Sequence, residues 1–130
     1  MNEYVTDTHT LLWYLLASPF LSAKAKGVFD EAKLNLALIY IPSIVFAELY
    51  YLNIKQNHVI NFESEFQKIK QSSQFILTAF EPEDVLDFDK DSAVTEMHDR
   101  MIVGVARRLN APLLTKDQNI TASELVKIIW

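Results

Sequence analysis

Short segments that are apolar at nearly every position alternate with amphipathic segments along the chain. Strands of this kind are buried on both faces, as in a parallel sheet that helices cover on each side. The alternation therefore predicts an α/β fold, a three-layer α/β/α sandwich around a central parallel sheet of about five strands. The strands are expected at residues 4–6, 36–41, 75–80, 112–115 and 126–130.

Capping residues and apolar spacing place helices between these strands. Ser43 is expected to cap the helix after the second strand, and Asn61 is expected to cap the next one. Ser18 and Pro19 should end the first helix, because the residue before a proline disfavours the helical conformation. The helices are expected at residues 8–17, 22–33, 43–56, from 62 onward, 82–88 and 97–109, with a polar stretch at 89–92.

Length and composition restrict the class of protein. The 130 residues suit a single domain, 1–130, with one core. The absence of cysteine excludes disulfides, thiolate metal sites and cysteine nucleophiles, and it favours a reducing cytoplasm. The first lysine is Lys24, after Glu3 and Asp7, whereas a signal peptide begins with basic residues. Because the apolar runs are shorter than the roughly 20 residues of a membrane span, we expect a cytoplasmic protein without a membrane segment.

Two carboxylates directly close predicted strands. Asp7 follows the first strand, and Asp117 follows the strand that ends near Thr115. Ligand sites of parallel α/β sheets lie beyond the carboxyl ends of the strands. Asp7 and Asp117 are therefore expected on the side of the sheet where a site would form.

Two further carboxylates stand on apolar helix faces. Residues three and four apart share a face of a helix, and on this basis Glu48 and Asp99 each have apolar neighbours. The neighbours of Glu48 are Ile44, Val45, Tyr51 and Leu52, and those of Asp99 are Ile102, Val103 and Ala106. Both acids are predicted to point inward, so that four carboxylates converge.

Four inward carboxylates need a compensating charge. Burying one unpaired carboxylate costs several kcal/mol, and like charges repel strongly in a low dielectric. Mg²⁺ or Mn²⁺ is the simplest compensation, because these cations prefer oxygen ligands. Zinc fits less well, since only His9 and His98 lie near the acids in the sequence and neither has a partner at ligand spacing.

Each acid taken alone also has a simpler interpretation. Asp7 and Asp117 can each be the N-cap of a helix. Asp99 can be a first-turn acid that favours the helix dipole, and Glu48 can pair with one of the arginines at positions 107 and 108. Four such coincidences explain the joint pattern less well than one site does.

The residues around these acids resemble one family. The segments are YVTDTHTLLWYL at the start, IPSIVFAELYYL around Glu48 and MHDRMIVGVARRLNAPLLTKD near the end. They resemble PIN-domain nucleases, and most closely the VapC-like toxins of bacterial and archaeal toxin–antitoxin pairs. The four acids of the family pattern fall on Asp7, Glu48, Asp99 and Asp117, and Thr115 matches a hydroxyl residue that often precedes the last acid by two positions.

The resemblance implies a Mg²⁺- or Mn²⁺-dependent endoribonuclease. Asp7 and Asp99 would be the principal metal ligands, while Glu48 and Asp117 would complete the acidic pocket and help to orient the attacking water. Hydrolysis of RNA would leave a 5′-phosphate and a 3′-hydroxyl. The family also implies two protein partners, a second copy of the chain in a homodimer and a small antitoxin.

The formal net charge of −5 argues mildly against a nucleic-acid ligand. Without the four site acids, however, 13 of the 17 acidic residues remain against 12 basic ones, a balance of −1. Arg100 and Lys116 adjoin site acids and are candidates for contact with phosphates. The arginines at positions 107 and 108 are weaker candidates, because solvated surface bases are common.

Three other functions remain open from the sequence. The DTHT segment resembles the opening of haloacid-dehalogenase phosphatases, although His9 stands where the second aspartate is expected. A receiver-type phosphoacceptor also binds Mg²⁺, but the segment Thr6–Thr8 lacks the two adjacent acids that it needs. A PIN fold can also be kept as a catalytically silent binding module, although such proteins usually lose site acids.

The helix that carries Glu48 has a second apolar row, Phe46, Tyr50 and Ile54, in addition to the row that includes Glu48 itself. A helix that is apolar on all sides should be buried on all sides. The second row either packs on the following helix through Phe62, Phe66 and Ile69 or forms an interface with a second copy or an antitoxin.

Overall fold

Five parallel strands form one sheet in the computed structural model, which describes residues 1–130. The sheet order is β3-β2-β1-β4-β5, and every neighbouring pair is parallel. This confirms the predicted α/β fold with a central parallel sheet. The strands are β1 (Asn2–Thr6), β2 (Ala37–Pro42), β3 (Phe75–Thr78), β4 (Leu113–Leu114) and β5 (Ile128–Ile129).

Six α-helices and one 3-10 helix connect and cover the strands. The α-helices are α1 (Thr8–Leu15), α2 (Ala23–Lys33), α3 (Ser43–Lys55), α4 (Phe62–Gln71), α5 (Met97–Leu109) and α6 (Gln118–Ser123). The 3-10 helix is Pro82–Asp91 and lies against α5. None of these helices combines the length and the apolar character that crossing a membrane requires.

The topology brings the ends of β1 and β4 together. Val5 pairs with Leu113 and Thr6 pairs with Leu114, so both strands end at the same level of the sheet. The backbone N–H of Asp7 donates to the carbonyl of Leu114 at 3.2 Å. The segments that follow the two strands therefore start side by side.

The core is built from the apolar positions that the sequence pattern indicates. Val5, Ile39 and Leu113 of the sheet are fully buried. On the helices, Phe29 of α2 is fully buried and stacks on Tyr14 with ring centroids 4.1 Å apart. Both ring centroids also lie 6.2 Å from that of Phe75 in β3, so this stack joins α1 and α2 to the sheet.

Several local expectations need correction. The first helix ends at Leu15 rather than 17, before the Ser18–Pro19 pair. Ser43 does not cap α3, because Pro42 is the N-cap and makes no side-chain hydrogen bond. The helix expected at 82–88 is a 3-10 helix that extends to Asp91, and the helix α6 was not expected. The Asn61 cap is confirmed, since its side chain accepts from the Ser64 N–H at 2.9 Å.

The 3-10 helix is held to α5 by ion pairs. Arg107 donates twice to Asp91, with distances of 2.9 and 2.6 Å, and Arg108 lies 2.9 Å from Asp84. The interpretation that Glu48 pairs with one of these arginines is therefore wrong. Both arginines are also occupied by acids of their own, which removes them as candidates for phosphate contact.

Arg107→Met should lower the free energy of unfolding by about 3 kcal/mol, because it leaves the Asp91 carboxylate, 1% exposed, without its partner. Lys26→Met is the matched control, since it breaks an exposed 3.0 Å pair with Asp30 and should cost less than about 1 kcal/mol. Urea unfolding of both variants measures the difference. Equal small losses in both would contradict a structural role for the Arg107–Asp91 pair.

Candidate active site

Asp7 stands at the junction of β1 and α1 and is the N-cap of that helix. One of its side-chain oxygens accepts from the backbone N–H of Thr10 at 3.0 Å. Burial raises the pKa of the Asp7 carboxyl, although hydrogen bonds from Thr10 and Thr115 act in the opposite direction. The capping interpretation is confirmed for Asp7, and the same carboxyl also lies at the carboxyl end of β1, where a site was predicted.

Thr115 links Asp7 to Asp117. Its buried hydroxyl donates to the second side-chain oxygen of Asp7 and accepts from the backbone N–H of Asp117 at 3.0 Å. Asp117 in turn caps α6, because its side chain accepts from the Ile120 N–H at 2.8 Å. The arrangement fixes the two strand-end acids relative to each other, as expected of a supporting hydroxyl.

Glu48 is held by the start of α1. Its Oε1 accepts from the Thr8 hydroxyl at 2.6 Å, and its Oε2 lies 3.5 Å from Nδ1 of His98. The expected core-facing stripe around Glu48 is wrong, since Tyr51 is 70% exposed. The buried residues of α3 are Val45, Leu49 and Asn53. The face that carries Glu48 lines a cleft instead.

Asp99 lies in the first turn of α5. Its backbone N–H donates to Oε2 of Glu96 at 2.6 Å, and Glu96 is the N-cap of the helix. The pKa of Asp99 is raised to about 6, chiefly by burial and then by the charges of Glu96 and of the three other site acids. The four sequence-predicted carboxylates therefore lie close enough to repel one another.

These acids line one open cleft of about 870 Å³. Lys116 and Lys55 also line it, and so do aromatic side chains on both sides, among them Trp13 and Tyr51. Arg100 does not reach the cleft, although its neighbour Asp99 does. Its guanidinium donates to the carbonyls of Val94 and Ser92 at 2.7 and 3.4 Å.

Several polar residues of the cleft, among them Thr8, Glu96, His98 and Gln118, were not among the sequence candidates for the site. Thr8 orients Glu48, Glu96 adds a fifth carboxylate, and His98 lies 3.5 Å from both Glu48 and Glu96. Gln118 contributes an amide beside Asp117. The sequence signal for Glu96 was its position as N-cap three residues before Asp99, but the other three contacts depend on which elements meet.

The donor set fits a hard divalent cation. No three acidic or histidine side chains stand close enough together to form a closed metal cage. Mg²⁺ does not need one, because it retains several waters and binds through one or two carboxylates. The neighbouring acids add to burial in raising the pKa of Asp99 to about 6, so the protein alone leaves the negative charge around Asp99 undercompensated.

Comparison with known proteins agrees with this geometry. The model of the PIN domain family matches residues 4–124, so the chain belongs to the PIN domain family, as its motifs indicate. Proteins of this family are usually nucleases and generally use divalent metal ions. Comparison with curated protein sequences gives no significant match.

Several solved structures share this fold. VapBC2 from Rickettsia felis, bound to a DNA fragment from their promoter, matches with a TM-score of 0.72 and 17% identity over 97% of this chain and 96% of that one. FitAcB from Neisseria gonorrhoeae matches with a TM-score of 0.67 and 16% identity over 96% and 95%. PAE2754 from Pyrobaculum aerophilum matches with a TM-score of 0.63 and 20% identity over 98% of this chain and 83% of that one. At these identities the matches establish a shared fold.

Proposed function

We propose that this PIN-domain protein is a Mg²⁺- or Mn²⁺-dependent endoribonuclease. The observation that carries the proposal is the convergence of Asp7, Glu48, Asp99 and Asp117 in one cleft, where the other three acids help to raise the pKa of Asp99 to about 6. A site that merely stabilised the fold would not gather four like charges. A site that holds a cation against a phosphodiester needs such a group of acids.

The acids take different roles in this proposal. Asp7 and Asp99 hold the metal ion, and Glu48 and Asp117 complete the pocket and orient the attacking water. The metal supplies charge stabilisation at the phosphodiester and lowers the pKa of a bound water. The water oxygen bonds to phosphorus, the bond from phosphorus to the 3′-oxygen breaks, and that oxygen takes up a proton, which leaves a 5′-phosphate and a 3′-hydroxyl.

Hydroxyl and basic side chains position these groups. Thr115 orients Asp7 and Asp117, and Thr8 orients Glu48, in each case by a direct hydrogen bond. Lys116 is exposed at the cleft and free to contact a phosphate of the strand. Arg100, which is bonded to backbone carbonyls, has no part in this proposal.

We further propose that the protein is the toxin of a toxin–antitoxin pair, that it acts on cytoplasmic RNA and that it forms a homodimer. The shared fold with VapBC2 and FitAcB supports an antitoxin partner. A surface on α3 supports a protein interface. Phe46 and Tyr50 pack on Phe66 and Phe62 of α4, with ring centroids 5.1 and 5.6 Å apart, yet Tyr50 remains 49% exposed.

Assays with three substrates test the ribonuclease proposal. Purified protein free of any partner should cut RNA internally with Mg²⁺ or Mn²⁺, stop with EDTA and release fragments with 5′-phosphates. A generic phosphomonoester and single-stranded DNA serve as parallel substrates. Hydrolysis of the phosphomonoester with intact RNA would replace the proposal with the phosphatase, and RNA binding without cleavage would replace it with a silent binding module.

Tyr50→Glu tests the partner surface. Because half of the Tyr50 side chain is exposed, the variant should fold, with a melting temperature within a few degrees of the wild type. We expect it to be monomeric by light scattering or to escape inhibition by the antitoxin. Phe62→Leu is the control for packing between α3 and α4. A folded Tyr50→Glu protein with unchanged mass and unchanged inhibition would contradict the interface.

A further inference from the structure

Trp13 is held at the rim of the cleft by three other aromatic rings. Its ring centroid lies 5.6 Å from that of His9, 5.8 Å from that of Phe20 and 5.8 Å from that of Trp130. These neighbours come from α1 itself, from the loop after it and from the last residue of the chain. Contacts from three segments fix the orientation of the indole ring.

This aromatic cluster lies outside the hydrophobic core. Tyr14 and Leu15, which follow Trp13 directly, pack against the core, but Trp13 does not. Phe20 is 64% exposed. Burial in the core therefore does not explain why large rings gather here, and partly exposed aromatic groups are a common feature of binding surfaces.

A lysine covers the ring of Trp13 on the side of the cleft. The ammonium of Lys116 stands 5.8 Å from the ring centroid, and both residues line the cleft with Asp7 and Asp117. Lys116 is exposed, and a cation–π contact at an exposed site is worth only about 0.5–1 kcal/mol. A ligand with a planar face and an adjacent negative charge could therefore stack on the ring in place of the ammonium. Its negative charge would then bind the displaced ammonium of Lys116.

We propose that Trp13 is a stacking platform for one unpaired base next to the scissile phosphate, and that Lys116 moves from the Trp13 ring to a phosphate of the same strand. The inference rests on the proposed ribonuclease function and adds to it the residue that contacts an unpaired base, Trp13, and the residue that changes partner when RNA binds, Lys116. A base within a duplex has both faces covered, whereas an unpaired base exposes a face to an aromatic side chain. Stacking of this kind tolerates every base, so the platform selects strandedness rather than sequence.

The fluorescence of Trp13 gives a direct test. The chain has two tryptophans, so Trp130→Phe leaves Trp13 as the only indole. The Asp99→Asn background keeps the RNA intact and lowers the negative charge of the cleft. An unpaired 12-nucleotide RNA of mixed sequence should quench the indole emission in a saturable way, because a stacked base quenches indole, and a duplex of the same length should quench it much less.

Affinity measurements complete the test. Trp13→Leu should raise the Kd for the same labelled RNA at least about fivefold, and Trp13→Phe should raise it less. Phe88→Leu is the matched control: it removes a ring that packs on Phe80 outside the cleft and does not touch Trp13, and it should change the Kd less than about twofold. The fluorescence titration needs no substitution of Trp13, so it decides the matter even if the leucine variant does not fold.

The possible failures are distinguishable. A protein that cuts RNA but shows unchanged Trp13 emission at saturating RNA would overturn this inference and leave the proposed function intact. A protein that neither binds nor cuts RNA would overturn both. A response of Trp13 to a partner protein but not to RNA would also overturn the inference and would place the cluster in a protein interface.

Discussion

Asp7→Asn and Asp99→Asn should each reduce RNA cleavage at least about 100-fold while the protein stays folded. Asparagine is nearly isosteric with aspartate and is an equally good N-cap, so the bond from the Thr10 N–H to residue 7 can persist. What the substitution removes is the negative charge and, at residue 7, the second oxygen that accepts from the Thr115 hydroxyl. A loss of activity in a folded variant therefore reports the role of the charge in holding the metal, not the role of the cap.

Two further variants calibrate this result. Thr115→Val removes the hydroxyl that bonds Asp7 and Asp117 but leaves all four acids, so a smaller loss, about 10- to 100-fold, is expected. Asp89→Asn removes an exposed acid outside the cleft and should leave the rate unchanged. Rates are measured under single-turnover conditions with circular dichroism as the check on folding. Full activity in either Asp7→Asn or Asp99→Asn would exclude that residue from the site.

Metal should reverse the order of stability of the wild type and Asp99→Asn. In the absence of metal, the variant should be more stable than the wild type at pH 7 by about 1–2 kcal/mol, a value that allows for solvent screening of this half-exposed group. In millimolar Mg²⁺ or Mn²⁺ the wild type should gain stability by mass action, and the variant should gain much less. Thermal unfolding of both proteins with and without metal measures the reversal.

Glu96→Gln separates repulsion from ligation. Glu96 also raises the pKa of Asp99, but it is not a proposed ligand. Its replacement should therefore stabilise the metal-free protein and preserve the stabilisation by metal. A wild-type melting temperature that neither metal changes would contradict a metal site in the cleft.

The pH dependence of stability follows from the same group. The pKa of Asp99 in the folded protein is about 6, above the 3.8 of a free aspartate carboxyl. Between these values the folded state binds a proton that the unfolded state releases, so this contribution to stability is present at low pH and is lost as the pH rises through about 6. The free energy of unfolding of the metal-free wild type is expected to lie below that of Asp99→Asn at pH 7. This difference should therefore decrease as the pH is lowered through this window. A constant difference would contradict the raised pKa.

That the strand-end acids and Asp99 would lie in one cleft could be predicted because their positions obey general rules. Asp7 and Asp117 follow parallel strands, and such strands expose their carboxyl ends at one edge of the sheet. Asp99 stands on a clearly amphipathic helix whose residues Ile102 and Val103 are buried, as expected. Each of these positions could be located from local pattern alone.

The orientation of α3 could not be predicted in the same way. This helix is apolar on nearly all sides, so the periodicity of the sequence does not distinguish its core face from its cleft face. The structure buries Val45 and Leu49 and exposes Tyr51. Glu48 lies in the cleft with the other three acids, but the predicted reason, a core-facing stripe, held only in part.

Contacts between elements distant in the chain could not be predicted from the spacing of residues in the sequence. Arg107 pairs with Asp91 rather than with Glu48 because the 3-10 helix packs on α5, which no spacing in the sequence reveals. The contacts of Trp13 with Phe20 and Trp130 likewise depend on how the end of the chain returns to α1. The short helix α6 was not predicted because its six residues lack a clear apolar period.

The most direct test of a metal-dependent ribonuclease site is a titration of metal-free protein with Mn²⁺ in the presence of one end-labelled RNA. The account predicts no cleavage in EDTA, internal cleavage that rises saturably with Mn²⁺, 5′-phosphates on the new fragments and no cleavage by Asp7→Asn at any metal concentration. Cleavage that persists in EDTA, or that Asp7→Asn catalyses as fast as the wild type, would contradict it.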